Sequence, residues 1–488
     1  MSDPLIRARL DKLQALREKG VDPYPPRVPS VKRIGSVIER FASLAVEGHS
    51  GESTSVAGRQ MAIRGMGKAS FLDLRDGTGK IQVHATGDRL GEARYAALGD
   101  TDIGDILAVR GEVFRTKRGE LTIAAEEWTL LAKSLRPLPE KWHGLKDVET
   151  RYRHRSLDLI SNDEVRDTFV KRSRILSAIR RTLDDVGFLE VENPVLQSVA
   201  SGGYARPFVT HHNVLDADLY LRIALELHLK RLLVGGLDRV YEMSKCFRNE
   251  GVSTEHNPEF TMLEIYQAYA DYEDMMRLVE RLIHAGLDAI GQPSSVEFKG
   301  RTVDFGLPWK RIGMIDAVAQ ATGIDPASLR TDDAIEWAAS KGIDSRPTSA
   351  GEAIEALFAR FVEPNLIQPT FIVDYPIEIS PLAKRSGQDE GLVERFELFA
   401  GGIELANAFT ELNDPVDQRA RFEDQERLRD QGNEEAQPID EDFLYALEYG
   451  MPPAGGMGIG VDRLVMLLTG SPSIRDVILF PAMRRKAS

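Results

Sequence analysis

Hydrophobic residues recur at helical spacing near the start of the chain. Between Ile6 and Lys19, Leu10, Leu13 and Leu16 fall about a turn apart with Arg and Lys between them, which predicts an exposed amphipathic helix stopped by Gly20. Pro23, Pro25 and Pro26 then impose an extended stretch, and a second helix is predicted from Ser36 to Leu44. From Ser55 to Leu131 the period drops to two. Ile81 and Val83, then Ile106 and Ala108, alternate with polar residues between glycine-bearing turns at Gly77, Gly79 and Gly119. Such short strands predict a small closed barrel, with a β-sandwich as the alternative.

Pro137 and Pro139 mark a linker, after which Asp163 to Val186 carries a long helical pattern ending at Gly187. Strand candidates follow at Phe188–Val191, Tyr220–Ile223, Arg239–Met243, Glu259–Tyr266, Phe396–Phe399 and Ile403–Ala408. Their long connections predict an α+β domain built on an antiparallel sheet flanked by helices. The weaker signals of Gln292–Leu366 predict a helical insertion, and the acidic Asp424–Asp442 stretch a solvated helix and loop. The expected organisation is a helical extension over 1–54, a barrel of the oligonucleotide-binding (OB) type over 55–135, a linker over 136–150, and the α+β domain over 151–488 with its insertion at about 292–366.

Composition narrows the class. With 488 residues, 42% hydrophobic and 28% charged, the chain can bury more than one core. No run of about eighteen apolar residues is long enough for a membrane span, so no membrane association and a cytoplasmic location are expected. One cysteine, Cys246, excludes an internal disulfide and a multi-cysteine zinc site, and reads as a small buried residue. The net charge of −14 argues against sequence-independent coating of nucleic acid, yet allows docking of one RNA through a local patch.

The chain has no Walker loop, strand-linked dinucleotide fingerprint or nucleophile elbow. Instead Phe247, Arg248, Asn249, Glu250 and Gly251 run closely into His256, Asn257, Pro258, Glu259, Phe260 and Thr261, with Glu264 and Tyr266 at strand spacing beyond. An arginine leaving a strand offers a planar fork to carboxylate or phosphate, and a nearby phenylalanine a flat face to a base. A surface hairpin with structural ion pairs is the plainer reading. Further on, Asn407, Phe409 and Glu411 alternate, Glu397 and Glu404 precede them as plausible magnesium holders, and Gly455, Gly456, Gly458 and Gly460 lead into Asp462 and Arg463. Glycines before a helix let phosphate approach backbone.

Together these runs resemble the three signature motifs of class II aminoacyl-tRNA synthetases: Gly187–Pro194 with the helix before it, Phe247–Glu264, and Gly456–Leu468. Within that class Arg206–Asn213, Ala270–Tyr272 and Asn407–Glu411 are similar to the bacterial lysyl-tRNA synthetases, and the resemblance covers nearly the whole chain. It implies an ATP-dependent ligase that forms lysyl-adenylate and passes lysine to the 3′-terminal adenosine of tRNA(Lys), with magnesium as cofactor, as a homodimer through motif 1. By the same resemblance Arg248 and Arg463 are catalytic. ATP falls to Arg248, Glu250, His256, Asn257, Phe260, Glu404 and Arg463; L-lysine to Gly202, Glu226, Arg248, Glu264, Tyr266, Asn407, Phe409 and Glu411. Magnesium falls to Glu397 and Glu404. Catalysis would rest on alignment and charge stabilisation, with no side-chain nucleophile.

The barrel resembles the family's anticodon module, which implies that Phe71 stacks on a base while Arg64, Gln82 and Glu120 read edges or backbone. An ordinary barrel-core phenylalanine is the alternative for Phe71. An aspartyl or asparaginyl synthetase would need other side-chain receptors than Glu264, Tyr266 and Glu411. A catalytically silent relative would be expected to lose Arg248, Glu404 or Arg463, all present here. Three positions depart from the family pattern. Glu255 stands where many bacterial relatives carry arginine and would repel ATP phosphates unless turned outward, Tyr204 is bulky for the loop it occupies and would narrow the lysine entrance, and Ser156 replaces a usual tyrosine.

Overall fold

The computed structural model describes residues 3–28, 30–66, 68–139, 145–203, 205–343, 347–430, 436 and 438–484. Tyr204, expected to narrow the lysine entrance, lies outside them. The chain divides into two compact units, residues 1–146 and 147–488.

In the first unit the helix Pro4–Glu18 begins where the Asp3 carboxylate accepts from the Leu5 N–H at 2.9 Å, with proline in its first turn. Its apolar stripe, Ile6, Leu13 and Leu16, is buried, and Leu16 joins the barrel core. The second helix, Ile34–Arg40, ends short of Leu44. The Arg115 guanidinium takes the carbonyls of Phe41, Ala42 and Leu44 at 3.3, 3.0 and 2.7 Å, holding that segment in turns. Strands β1 (His49–Met66), β2 (Ala69–Arg75), β3 (Lys80–Thr86), β4 (Ile106–Arg115) and β5 (Leu121–Ala132) close a barrel in the order β1-β2-β3-β5-β4. The ring is uneven. β3 and β5 pair in parallel only over Gln82–His84 and Thr122–Ala124. Inward residues Val56, Leu72, Leu74, Ile81, Val83, Val109 and Ile123 fill it, as the alternation requires. Gly111 permits the closest approach, since a Cβ there would stand 2.0 Å from the Ala124 carbonyl oxygen.

In the second unit the chain runs through β6 (Leu189–Glu190), β7 (Leu196–Gln197), β8 (Val209–His212), β9 (Ala217–Leu221), β10 (Arg239–Phe247), β11 (Glu259–Ala268), β12 (Ser295–Phe298), β13 (Arg301–Asp304), β14 (Lys310–Gly313), β15 (Thr370–Pro376), β16 (Leu392–Ala400), β17 (Ile403–Thr410) and β18 (Ala454–Gly460). Eight of these form one sheet, β14-β15-β16-β17-β18-β11-β10-β6. Its six central strands are antiparallel and both edges pair in parallel. Helices Asp163–Asp185 and Tyr272–Ala289 pack on it, burying Ile175, Ile179 and Leu183 with Met275, Val279 and Leu282 in the main core. Cys246 sits in β10, buried, and burial pushes its thiol up to about 12.

One expectation needs correction. The first part of the expected helical insertion is a β12–β13 hairpin followed by β14, which extends the large sheet; only from Met314 do helices take over. Strands of four residues give too few alternations to register as a period. The glycines that precede the helix Val461–Thr469 belong to the central strand β18, flanked by β11 and β17, where Met457 and Ile459 face the core and Gly456, Gly458 and Gly460 the other side. The acidic stretch is helical through Asp430 and again from Glu441, while residues 431–435 and 437 lie outside the described set.

Candidate active site and nucleic-acid face

β11, β16, β17 and β18 form the floor of a cavity of about 710 Å³. Its lining includes every expected site residue of this unit except Glu411: Gly202, Glu226, Arg248, Glu250, His256, Asn257, Phe260, Glu264, Tyr266, Glu397, Glu404, Asn407, Phe409 and Arg463. Strand register explains the convergence. Glu264 lies opposite Gly458, Tyr266 opposite Gly456, Asn407 opposite Gly458 and Phe409 opposite Gly456. The glycines of β18 therefore leave the space into which four functional side chains project.

One end of the cavity is cationic. The Arg248 guanidinium lies 5.1 Å from the Phe260 ring centroid, and its Nε is buried with no hydrogen-bond partner among the described residues. An unmet buried donor is costly and suits an incoming anion. Arg463 holds Glu404 at 3.1 Å through Nη1, and its Nη2 lies 3.1 Å from His256 Nε2. Because a guanidinium only donates, Nε2 must accept and the imidazole is neutral, its Nδ1 proton directed at Ser253 Oγ at 3.0 Å. Burial, with Arg463 beside it, lowers the His256 pKa accordingly.

Asn257 is less available than the sequence suggested. Its amide donates to the Glu259 carbonyl at 2.5 Å and its oxygen accepts from the Ala482 N–H at 3.1 Å, so it staples the loop. A second tie runs from the Ile474 N–H to the Thr254 carbonyl at 2.8 Å. Glu255 lines the cavity but pairs with Lys299, in the β12–β13 turn, at 2.7 Å. Ser156 is exposed and nothing in the structure explains its replacement of tyrosine.

The other end is acidic. Glu264 accepts from the Leu225 N–H at 3.1 Å and from the Tyr266 hydroxyl at 3.2 Å, and burial, with Glu226 adding, pushes it up to about 7. Gly202 adopts φ +83°, a left-handed conformation that favours glycine, and a Cβ there would lie 3.5 Å from that of Glu226. Glu411 is fully buried just past β17 and joined at 2.5 Å to Lys230, a residue the motifs did not identify.

Glu397 is held by Arg395 at 2.6 Å and by the Tyr375 hydroxyl at 2.9 Å, and burial pushes it up to about 7, with Glu404 contributing in the same direction. Among the described residues no group of three or more His, Cys, Asp or Glu forms a ready metal cage. Two carboxylates close enough for Glu404 to raise the proton affinity of Glu397 suit a hard cation completed by substrate phosphates, so this donor set fits magnesium. Arg395 escaped the sequence reading despite lining the cavity. It also donates to Asn407 at 3.2 Å and lies 4.3 Å from the Tyr375 ring centroid. Its position two residues before Glu397 on one strand face was the available signal.

In the other unit, Phe71 is half-buried on the outer barrel face, outside the barrel core. It stacks on His84 at 4.7 Å, His84 meets Phe114 edge-on at 6.2 Å, and Phe114 stacks on His49 at 5.3 Å. Thr122 and Ala124 of β5, small residues between β3 and β4, leave room for this row. Gln82 accepts from Thr122 at 3.1 Å, Arg64 pairs with Asp73 at 3.3 Å, and Glu120 is exposed at the turn before β5.

Comparison with known proteins agrees with this geometry. Residues 147–484 match the family model described as "tRNA synthetases class II (D, K and N)", and residues 54–131 match that of the "OB-fold nucleic acid binding domain". The lysine–tRNA ligase of Moorella thermoacetica is 56% identical over 99% of this chain and 98% of its own. Those of Enterococcus faecalis (52%, covering 99% and 98%) and Bacillus subtilis (51%, covering 99% and 97%) are similar over their full lengths. The OB-fold barrel, the class II sheet and these relatives together establish that the chain belongs to the lysine–tRNA ligase family of class II synthetases.

Proposed function

We propose that this protein activates L-lysine with ATP and transfers it to tRNA(Lys), using the cavity of the second unit. The observation that carries the reading is the polarity of that cavity: an open arginine donor beside an aromatic ring at one end, and Glu226, Glu264 and Tyr266 at the other. An amino acid with a cationic side chain can span it, its carboxylate toward Arg248 and its ε-ammonium toward the buried acids.

In the first step a lysine carboxylate oxygen attacks the α-phosphorus, the bond to the β-phosphate bridge breaks, and pyrophosphate leaves. Arg248 would bridge the carboxylate and α-phosphate, Phe260 would stack on adenine and Glu250 read its amino group. Arg463 would meet the ring's other face and the γ-phosphate, near His256. Gly202 and Glu226 would take the α-ammonium, with Asn407 near the carboxylate. Glu397 and Glu404 would hold magnesium, which when bound offsets phosphate charge. In the second step the terminal 3′-hydroxyl of tRNA attacks the adenylate carbonyl, an adenylate phosphate oxygen takes its proton, and AMP leaves.

Phe71, Arg64, Gln82 and Glu120 would contact the anticodon. A homodimer through motif 1 is supported by exposed Val170, Leu189, Val195 and Leu196, apolar positions clustered in that part of the chain. Among the described residues no helix is long and apolar enough to cross a membrane, and we place the enzyme in the cytoplasm with its tRNA.

The test is ATP–pyrophosphate exchange with lysine, aspartate and asparagine side by side. Exchange driven by lysine alone is expected; exchange with none, or with aspartate, would overturn the reading.

A further inference from the structure

Behind the acidic end of the cavity lies a cation to which neither the motifs nor the roles above give a function. Lys230 stands one turn after Glu226 on the helix Glu226–Val234, and its side chain has no exposed surface. Its Nζ meets Glu226 Oε1 at 2.5 Å and Glu411 Oε2 at 2.5 Å, and lies 5.9 Å from the Phe443 ring centroid.

The other oxygen of Glu411 is left open. Oε1 is buried with no partner among the described residues, and lies 2.0 Å from where a Cβ on Gly456 would stand, beside the Tyr266 ring. Gly456 itself lines the cavity. One arm of the carboxylate is therefore tied back to Lys230 while the other lies beside Gly456 and Tyr266, which line the cavity. Two carboxylates, Glu226 and Glu411, hold this ammonium, and the buried Glu264 acts on both of them in turn. A buried carboxylate oxygen with no partner is costly, so Glu411 is incomplete without a further donor.

We propose that Lys230 is a positioning residue of the amino-acid pocket: it fixes Glu226 and Glu411 as an oriented carboxylate pair and leaves Glu411 Oε1 open to the substrate's ε-ammonium. This rests on lysine being the substrate. Lys230 touches neither lysine nor ATP in this arrangement, and acts through the two acids it holds.

The charges around it give the role a distinctive pH signature. Burial pushes Glu411 up to about 8, and Lys230 is the foremost group pulling it back. Burial disfavours the Lys230 ammonium, but Glu226 and Glu411 more than offset this and hold its pKa above the ordinary lysine value. The groups paired with Lys230 are Glu226 on its own helix and Glu411 after β17, and Glu264 and Tyr266 on β11 act on those two acids. A protonated acid must lose its proton before it accepts an ammonium, so lysine binding improves as pH rises through the acid's pKa. Without Lys230 that improvement moves to higher pH.

The test is ATP–pyrophosphate exchange by the full-length wild type, K230M and K230R, varying lysine at fixed ATP and the reverse, from about pH 6.5 to 8.5, with melting curves for each. K230M is expected to raise the lysine KM about tenfold at neutral pH, leave the ATP KM in place, and narrow its deficit toward the alkaline end. K230R, which keeps the charge, is expected to retain most of the wild-type profile. An unchanged lysine KM in K230M would overturn the proposal, as would a loss that is flat with pH and equal for lysine and ATP. Should K230M fail to fold, K230Q is measured in its place: a raised lysine KM with the ATP KM unmoved supports positioning, and two KM values moving together, or neither moving, overturn it. A wild type without lysine-dependent exchange would instead sink the substrate assignment itself.

Discussion

Glu255 and Lys299 form an ion pair at 2.7 Å although 44 positions separate them. In the ATP site proposed above this carboxylate would repel phosphates, and the β12–β13 turn brings an ammonium to the rim that offsets it. Both side chains are about one-third exposed, so the pair is screened and its effect modest. K299A is expected to raise the ATP KM about two- to fivefold with the lysine KM unmoved, and E255Q added to it to recover most of the loss. ATP titrations in the exchange assay check this, and an additive double variant would refute it.

Gly456 has little latitude. A Cβ would stand 2.0 Å from Glu411 Oε1 and 2.4 Å from Tyr266 Cε1, both buried and unable to retreat. G456A is expected to cut kcat/KM for lysine by about a hundredfold or more while ATP still binds. Calorimetric titration with ATP alone, beside exchange kinetics, separates the two.

Stability should fall with pH in the absence of ligand. Burial raises Glu264 and Glu397 from 4.5 to about 7, so the folded state keeps protons that the unfolded chain has released. That contribution is complete below the unfolded value and is lost as pH rises through about 7. Melting curves are expected to show Tm dropping by a few degrees between about pH 5 and 8, and E264Q or E397Q to flatten the slope. Lysine, which favours the ionised acid, should raise Tm more at the alkaline end. A ligand-free Tm that climbs over this window would contradict the assignment.

On the barrel, Phe71 and His84 behave as one stacked unit at 4.7 Å. Base stacking is worth about 1–3 kcal/mol, so F71A should raise the tRNA KM about tenfold or more, and H84A less, because it removes only the underlying ring. The loss belongs in the tRNA KM and not in that for lysine or ATP, which aminoacylation kinetics will distinguish.

What was legible in the sequence was whatever alternates along a single strand. Glu264 with Tyr266, and Asn407 with Phe409, announced shared faces by their spacing alone, and the structure brings those faces to one cavity. What escaped depends on a partner from elsewhere in the chain. Lys230 looks like an ordinary helical lysine until Glu411 meets it, and Tyr375 like a strand tyrosine until Glu397 does. Lys299 sits in a turn whose two strands are too short to predict. The glycines of β18 hid their function, leaving room, because only the side chains of β11 and β17 opposite them give it meaning.

The two ties from Thr254 and Asn257 to Ile474 and Ala482 set an order of events during synthesis. Every residue of the loop that would cradle ATP leaves the ribosome more than two hundred residues before the segment that pins it. A nascent chain can thus possess its arginine, histidine and phenylalanine and still lack the geometry to use ATP, so adenylate formation is deferred until translation has passed residue 482.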